Sequence, residues 1–152
     1  MRLVDVYYIV QRWIWRRLKP RTRGVKVMLF DAAGRILLIR NTYGDSASFV
    51  LPGGGVGFFE KPEAAARREI KEELNCDVLG LSLISVLYSE REGKRDSVWL
   101  FKGETKDDPL GDPREVAEAR YFSLQQLPEK VSPATRRRIA ELKGEAARSS
   151  AW

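Results

Sequence analysis

Glu69, Glu72 and Glu73 stand within the run Gly53–Cys76, GGGVGFFEKPEAAARREIKEELNC. On an α-helix, residues three and four apart share a face, so the three carboxylates project together. Crowded like charges repel unless something neutralises them. A hard divalent cation would do so, since Mg2+ takes oxygen ligands and is commonly held by one or two carboxylates plus substrate phosphates. Taken alone, the helix reads more readily as a solvated acidic face. The glycines before it would let backbone approach a ligand, although a glycine cluster by itself is more often a turn. The loop lacks the Lys-Ser/Thr of a P-loop and the dinucleotide-binding GxGxxG arrangement.

Composition narrows the chemistry. The 152 residues contain no histidine, which excludes Ser-His triads and histidine-ligated zinc. Proton transfer is left to carboxylates, Lys, Tyr or metal-bound water. One cysteine rules out an internal disulfide framework and suits a reducing, cytoplasmic setting. The net charge of +6 favours an anionic partner. Much of it is local, in Arg12, Arg16, Arg17, Lys19, Arg21 and Arg23, and again in Arg136, Arg137 and Arg138.

The elements that must position the carboxylates follow from periodicity and breakers. Gly24–Phe30 reads as a buried strand, Asp31–Gly34 as a turn, and Arg35–Arg40 as its hairpin partner. Residues 41–48 form a polar loop able to border a substrate, and Phe49–Leu51 is a short strand stopped by Pro52 and the glycines. Pro62 suits the first turn of the acidic helix and Glu63 its positive end. Ala66, Ile70 and Leu74 form an apolar stripe beside the carboxylates, which places the acidic site at the edge of the core. Arg68 can reach Glu72 one turn on. Strands are expected over 78–89, 97–104 and 118–122, with a turn at 90–95. Ser132-Pro133 opens a last helix that Gly144 stops.

Two ends lie outside this plan. Residues 1–20 carry Leu3, Val6, Tyr7, Val10, Trp13, Ile14 and Leu18 at helical spacing, and Pro20 ends the helix. Asp5, Gln11 and Arg12 interrupt it well short of a membrane span. Its stripe is expected to pack on the domain or on a second subunit, which would make a homodimer. A membrane surface or RNA is the other contact that its aromatic and basic residues suit. Residues 21–145 read as one domain and 146–152 as a loose tail.

The polar residues of Gly53–Cys76 resemble the box of the Nudix hydrolases. That box is Gly, five residues, Glu, seven residues, Arg-Glu, an aliphatic, any residue, Glu-Glu, any residue, Gly and an aliphatic. Gly54, Glu60, Arg68, Glu69, Ile70, Glu72 and Glu73 fall at the corresponding places. Asn75 replaces the closing Gly, Cys76 the last aliphatic, and Phe59 a frequent Gly. Asn tolerates the left-handed conformation of a helix end, and Cys packs as a small hydrophobe.

The resemblance implies an α/β fold, the Nudix-type α/β/α sandwich with a mixed β-sheet between helices. It implies Mg2+-dependent hydrolysis, or Mn2+-dependent in its stead, of the diphosphate linkage in a nucleoside diphosphate derivative. A catalytically silent Nudix-fold binding or regulatory module is the alternative. By the same resemblance Glu69, Glu72 and Glu73 are metal ligands and catalytic, with Arg68 orienting them and Glu60 supporting the metal shell or loop. A further carboxylate is expected from the loop before the last strand, with Glu115 the first candidate and Glu118 the second. Gly54 and Gly55 are expected against the substrate, Arg40 or Arg35 near its phosphates, and Tyr43, Phe49 or Phe58 near its base.

Overall fold

The computed structural model describes residues 3, 5–7, 9–10, 23–91 and 94–152, with the backbone alone at 90, 91, 94 and 95. Its centre is a pair of strands too apolar to face water on either side, β1 (Arg23–Phe30) and β2 (Ile36–Asn41). Successive side chains of a strand point to opposite faces. Val25, Val27 and Leu29 with Leu37 and Ile39 therefore supply one core, and Met28 and Phe30 with Ile36 and Leu38 the other. Strands buried on both faces need cover on both, as in layered α/β folds.

That cover comes from two helices, α1 (Pro62–Leu74) and α2 (Pro133–Leu142). Ala65, Ala66, Ile70 and Leu74 of α1 join the first core, and Ile139 of α2 joins the second. Ile70 is fully buried, a contribution of about 1.5–3 kcal/mol relative to an exposed side chain. The sheet is completed by β3 (Gly53–Gly55), β4 (Leu79–Arg91), β5 (Lys94–Glu104) and β6 (Val116–Phe122). Its order is β4-β5-β1-β2-β6, with β3 on β1, and it is mixed because β1 and β5 run parallel from Arg23↔Ser97 to Phe30↔Glu104. This is the expected sandwich.

One departure makes the site. β1 and β2 do not pair along their length: they meet at Phe30↔Ile36 and then splay. Residues 49–55 fill the gap. Val50 exchanges hydrogen bonds with Ile39 (2.8 and 3.0 Å), Val27 N donates to Pro52 O (2.9 Å), and Gly53–Gly55 pair antiparallel with Gly24–Lys26. The glycines expected to stop a strand thus form one. They are tolerated there because a Cβ on Gly53 would run into the backbone carbonyl of Val25.

Helix ends follow local rules. Pro62 occupies the first turn of α1, and Asn75 closes it in the left-handed conformation (φ 54°, ψ 35°), its N–H donating to Lys71 O. Replacing Asn75 by Val should cost about 1–2 kcal/mol of unfolding free energy in a urea titration, with Asn75→Gly close to neutral. Ser132 caps α2 by accepting from Thr135 N (3.2 Å), and Gly144 follows it at φ 75°.

The last residues are not loose. Tyr88 N donates to Ser150 O (2.7 Å) and Trp152 N to Tyr88 O (2.9 Å), so the segment lies along β4. Arg138, expected in a surface basic cluster, is buried and holds that segment, donating to Ser149 O (3.2 Å) and Ala151 O (2.9 Å) beside Glu141. A buried guanidinium keeps such partners because an unpaired charge is costly there. Of the helix expected over 1–20, Leu3, Asp5, Val6, Tyr7, Ile9 and Val10 are helical, and the other residues lie outside the described ones. Among the described residues no helix is long and apolar enough to cross a membrane.

Candidate active site

The last two turns of α1 carry the carboxylates against β3 and the opening between β1 and β2. Glu69 and Glu73 point toward the core side and are only 7% and 4% exposed, while Glu72 is half-buried. A fourth carboxylate joins through the loop before β6. Leu110 N donates to Leu74 O (2.9 Å) and Asp112 N to Glu73 O (2.8 Å), satisfying carbonyls that a helix end leaves open. Thr42 N then fixes Glu115 O at 2.9 Å. Glu115 is 8% exposed and close enough to Glu73 to act on its charge.

Arg68 ties the outer part together with every arm of its guanidinium. It grips Glu60 bidentately (Nε to Oε2 and Nη2 to Oε1, both 2.8 Å) and reaches Glu69 Oε1 at 2.9 Å and Glu72 Oε2 at 3.3 Å. It also donates to Gly55 O at 2.9 Å. Glu60 in turn accepts from Gly57 N at 2.9 Å, which pins the glycine loop to the helix. The Arg68 hydrogen bonds hold the Glu60 carboxyl below the usual carboxylate range, and the Glu60, Glu69 and Glu72 charges push Arg68 above its own. Planar fork geometry makes this a task for Arg rather than Lys.

The inner part is less balanced. Burial, with Glu69 and Glu115 adding to it, pushes the Glu73 carboxyl up to about 8, against the pull of Lys26 and a 3.4 Å hydrogen bond from Gly53 N. Lys26 projects from β1, donates to Leu51 O at 3.1 Å and faces Glu73 and Glu69. Burial lowers its pKa while those two carboxylates raise it, and lowering prevails. Gly54 lies so close to the Glu69 carboxylate that a Cβ would collide with it. Buried carboxylate oxygens with bare backbone alongside are chemically suited to a hard divalent ion. Among the described residues no three acidic or thiol groups already converge as a metal cage.

The other expected residues divide. Gly55 lies at this site through its carbonyl to Arg68. Arg40 is committed to Glu118, its cross-strand partner on β6 (2.8 and 3.1 Å), and to Ser46 O (3.0 Å). Glu118, the second loop acid, is therefore held by Arg40 and not beside Glu73. Arg35 is tied to Asp31 at 2.7 Å. Phe49 is a core residue, packed edge-on to Phe122 at 5.0 Å under Arg40 and Arg120. Tyr43 and Phe58 are exposed. Lys26 went unnamed in the sequence reading. Its signal was there, a lone charge inside the apolar run Val25–Phe30, and a buried charge in a strand needs a partner.

Comparison with known proteins adds identity to geometry. A family model described as the NUDIX domain matches residues 20–142. An RNA pyrophosphohydrolase of Gluconacetobacter diazotrophicus is 31% identical over 137 residues, covering 73% of this chain and 82% of that protein. A putative 8-oxo-dGTP diphosphatase of Bacillus subtilis is 32% identical over 123 residues, covering 80% of each. The crystal structure of a MutT NUDIX hydrolase from Burkholderia pseudomallei superimposes with a TM-score of 0.73 at 26% identity, covering 82% of this chain and 99% of that one.

Proposed function

The chain belongs to the NUDIX family of hydrolases that act on acid anhydrides, and from that premise we propose that it uses Mg2+ or Mn2+ to cleave a diphosphate linkage in a nucleoside diphosphate derivative by attack of water at phosphorus. The observation that carries this reading is the cluster of Glu69, Glu73 and Glu115, buried together with Lys26 as the one cation facing it from β1. Carboxylates buried side by side repel one another, and a divalent ion taken up between them relieves that repulsion.

Each residue then has a task. Glu69, Glu72, Glu73 and Glu115 offer the oxygens that would hold the ion. Arg68 fixes Glu69 and Glu72 in place, and Glu60 fixes Arg68 and the glycine loop. Gly54 and Gly55 leave the backbone bare where the diphosphate would lie. Lys26 contributes a positive charge at the inner wall. A divalent ion bound here neutralises diphosphate oxygens and lowers the pKa of water toward neutrality. With no histidine in the chain, taking up the proton that leaves water falls to a carboxylate, Lys or Tyr. Phosphoryl transfer needs little besides such positioning and charge stabilisation.

The names of the relatives set the panel that tests this. Nucleoside triphosphates, their 8-oxo-guanine forms, sugar and nucleoside diphosphate derivatives, and RNA with a 5′ triphosphate are incubated with Mg2+ or Mn2+, and phosphate, pyrophosphate and nucleotide release are followed. Metal-dependent release from at least one class is the expected result. Inertness toward all of them with both ions would favour the silent module instead.

A further inference from the structure

We propose that the N-terminal helix is a docking surface for an anionic lipid membrane. Leu3, Val6, Tyr7 and Val10 follow one another at three- and four-residue steps, which puts them on one helix face. Those four residues are 90%, 42%, 63% and 47% exposed, and Ile9 is 39% exposed. The rest of the expected stripe, Trp13, Ile14 and Leu18, lies outside the described residues.

Charge says what covers it. Residues 1–23 contain seven Arg and Lys and one acid, Asp5, so the net +6 of the chain resides in them and residues 24–152 are balanced. An apolar stripe with aromatic residues and a dense positive flank is the composition of a helix lying in a lipid headgroup layer. The last cation of the segment leads to a second apolar tip. Arg23 donates to Gly57 O (3.0 Å) and Phe58 O (3.4 Å), and beyond it Phe58 and Phe59 stand 79% and 97% exposed, edge to face at 5.3 Å.

Two other occupants fit less well. A second copy docked stripe to stripe would bring two segments of the same strong charge together. Single-stranded RNA would satisfy the cations and Tyr7 offers it a stacking ring, but Leu3, Val6 and Val10 on the same face would gain nothing from it.

The test is co-sedimentation of the full chain with phosphatidylcholine vesicles made with and without phosphatidylserine. Binding is expected to the anionic vesicles alone and should weaken with salt. Val6→Ser/Val10→Ser should weaken it ~10-fold or more while leaving metal-dependent hydrolysis unchanged, and Phe59→Ser should weaken it by a smaller factor. Equal partitioning of wild type and all variants, or none with either vesicle, overturns the proposal. So does a dimer in analytical ultracentrifugation that Val6→Ser/Val10→Ser dissociates, or retention on single-stranded RNA that the same variant loses without any vesicle binding.

Discussion

Glu73→Gln should lose metal-dependent hydrolysis by about 10²–10³-fold, roughly 3–4 kcal/mol of transition-state stabilisation, and yet unfold at higher temperature than wild type when metal is withheld. The two halves have one cause. Glu73 is 4% exposed beside Glu69 and Glu115, and its carboxyl is pushed up to about 8. A free glutamate titrates near 4.5. Below that pH both folded and unfolded chains hold the proton and nothing is lost. Between about 4.5 and 8 the unfolded chain gives the proton up more readily, so stability falls as pH rises, and above about 8 the whole penalty is present.

Gln carries no such charge. Its advantage over wild type should grow through that window to about a few kcal/mol. Lys26 trims the gain, because in the variant it loses one of the two carboxylates that favour its ammonium form. Thermal melts in EDTA from pH 5 to 8.5 read the stability, and initial rates read the activity. A variant less stable than wild type at pH 8 in EDTA would show that Glu73 is held by its neighbours rather than strained by them. Mg2+ should restore the wild type far more than the variant, since only a ligand that binds the folded state stabilises it.

Arg68→Lys keeps the charge and discards the fork. The guanidinium makes two bonds to Glu60 and one each to Glu69, Glu72 and Gly55 O, which a lysine ammonium with three donors on a flexible stem cannot reproduce. The expected loss is about 10–100-fold in metal affinity or rate, the range for groups that orient a metal's ligands. Stability should change less, by about 1 kcal/mol, because the cluster around Arg68 is partly solvated. Isothermal titration with Mn2+ alongside kcat and KM separates the two effects. Wild-type metal affinity and rate in Arg68→Lys would show that charge alone suffices and that the five hydrogen bonds do not matter.

What could be read from the residues, and what could not, divides by range. The acidic helix with its proline start and Asn75 stop was legible because capping and periodicity are local, and both cores follow from strands whose apolar residues fall on both faces. Glu115 was reachable because it lies in the loop before the last strand. Its advantage over Glu118 was not, since that depends on Glu118 facing Arg40 across two strands distant in sequence. Arg40 and Phe49 looked like substrate contacts because nothing local shows that one is already paired and the other already packed. Lys26 was missed for the same reason: the carboxylates that hold it sit on α1, and only the β1–β2 splay brings strand and helix face to face. Residues 146–152 carry no periodic pattern, and the partner that orders them, Arg138, reads as one of three consecutive arginines in a basic cluster.

That last segment bears on how the chain avoids pairing with its neighbours. β4 is the outer strand of the sheet, thirteen residues long, and an open strand edge is a template for pairing with other chains. Part of its edge is shielded at Tyr88 by residues 150–152. Arg138 holds that shield in place through the carbonyls of Ser149 and Ala151, so a guanidinium on the far helix guards the flank of the sheet.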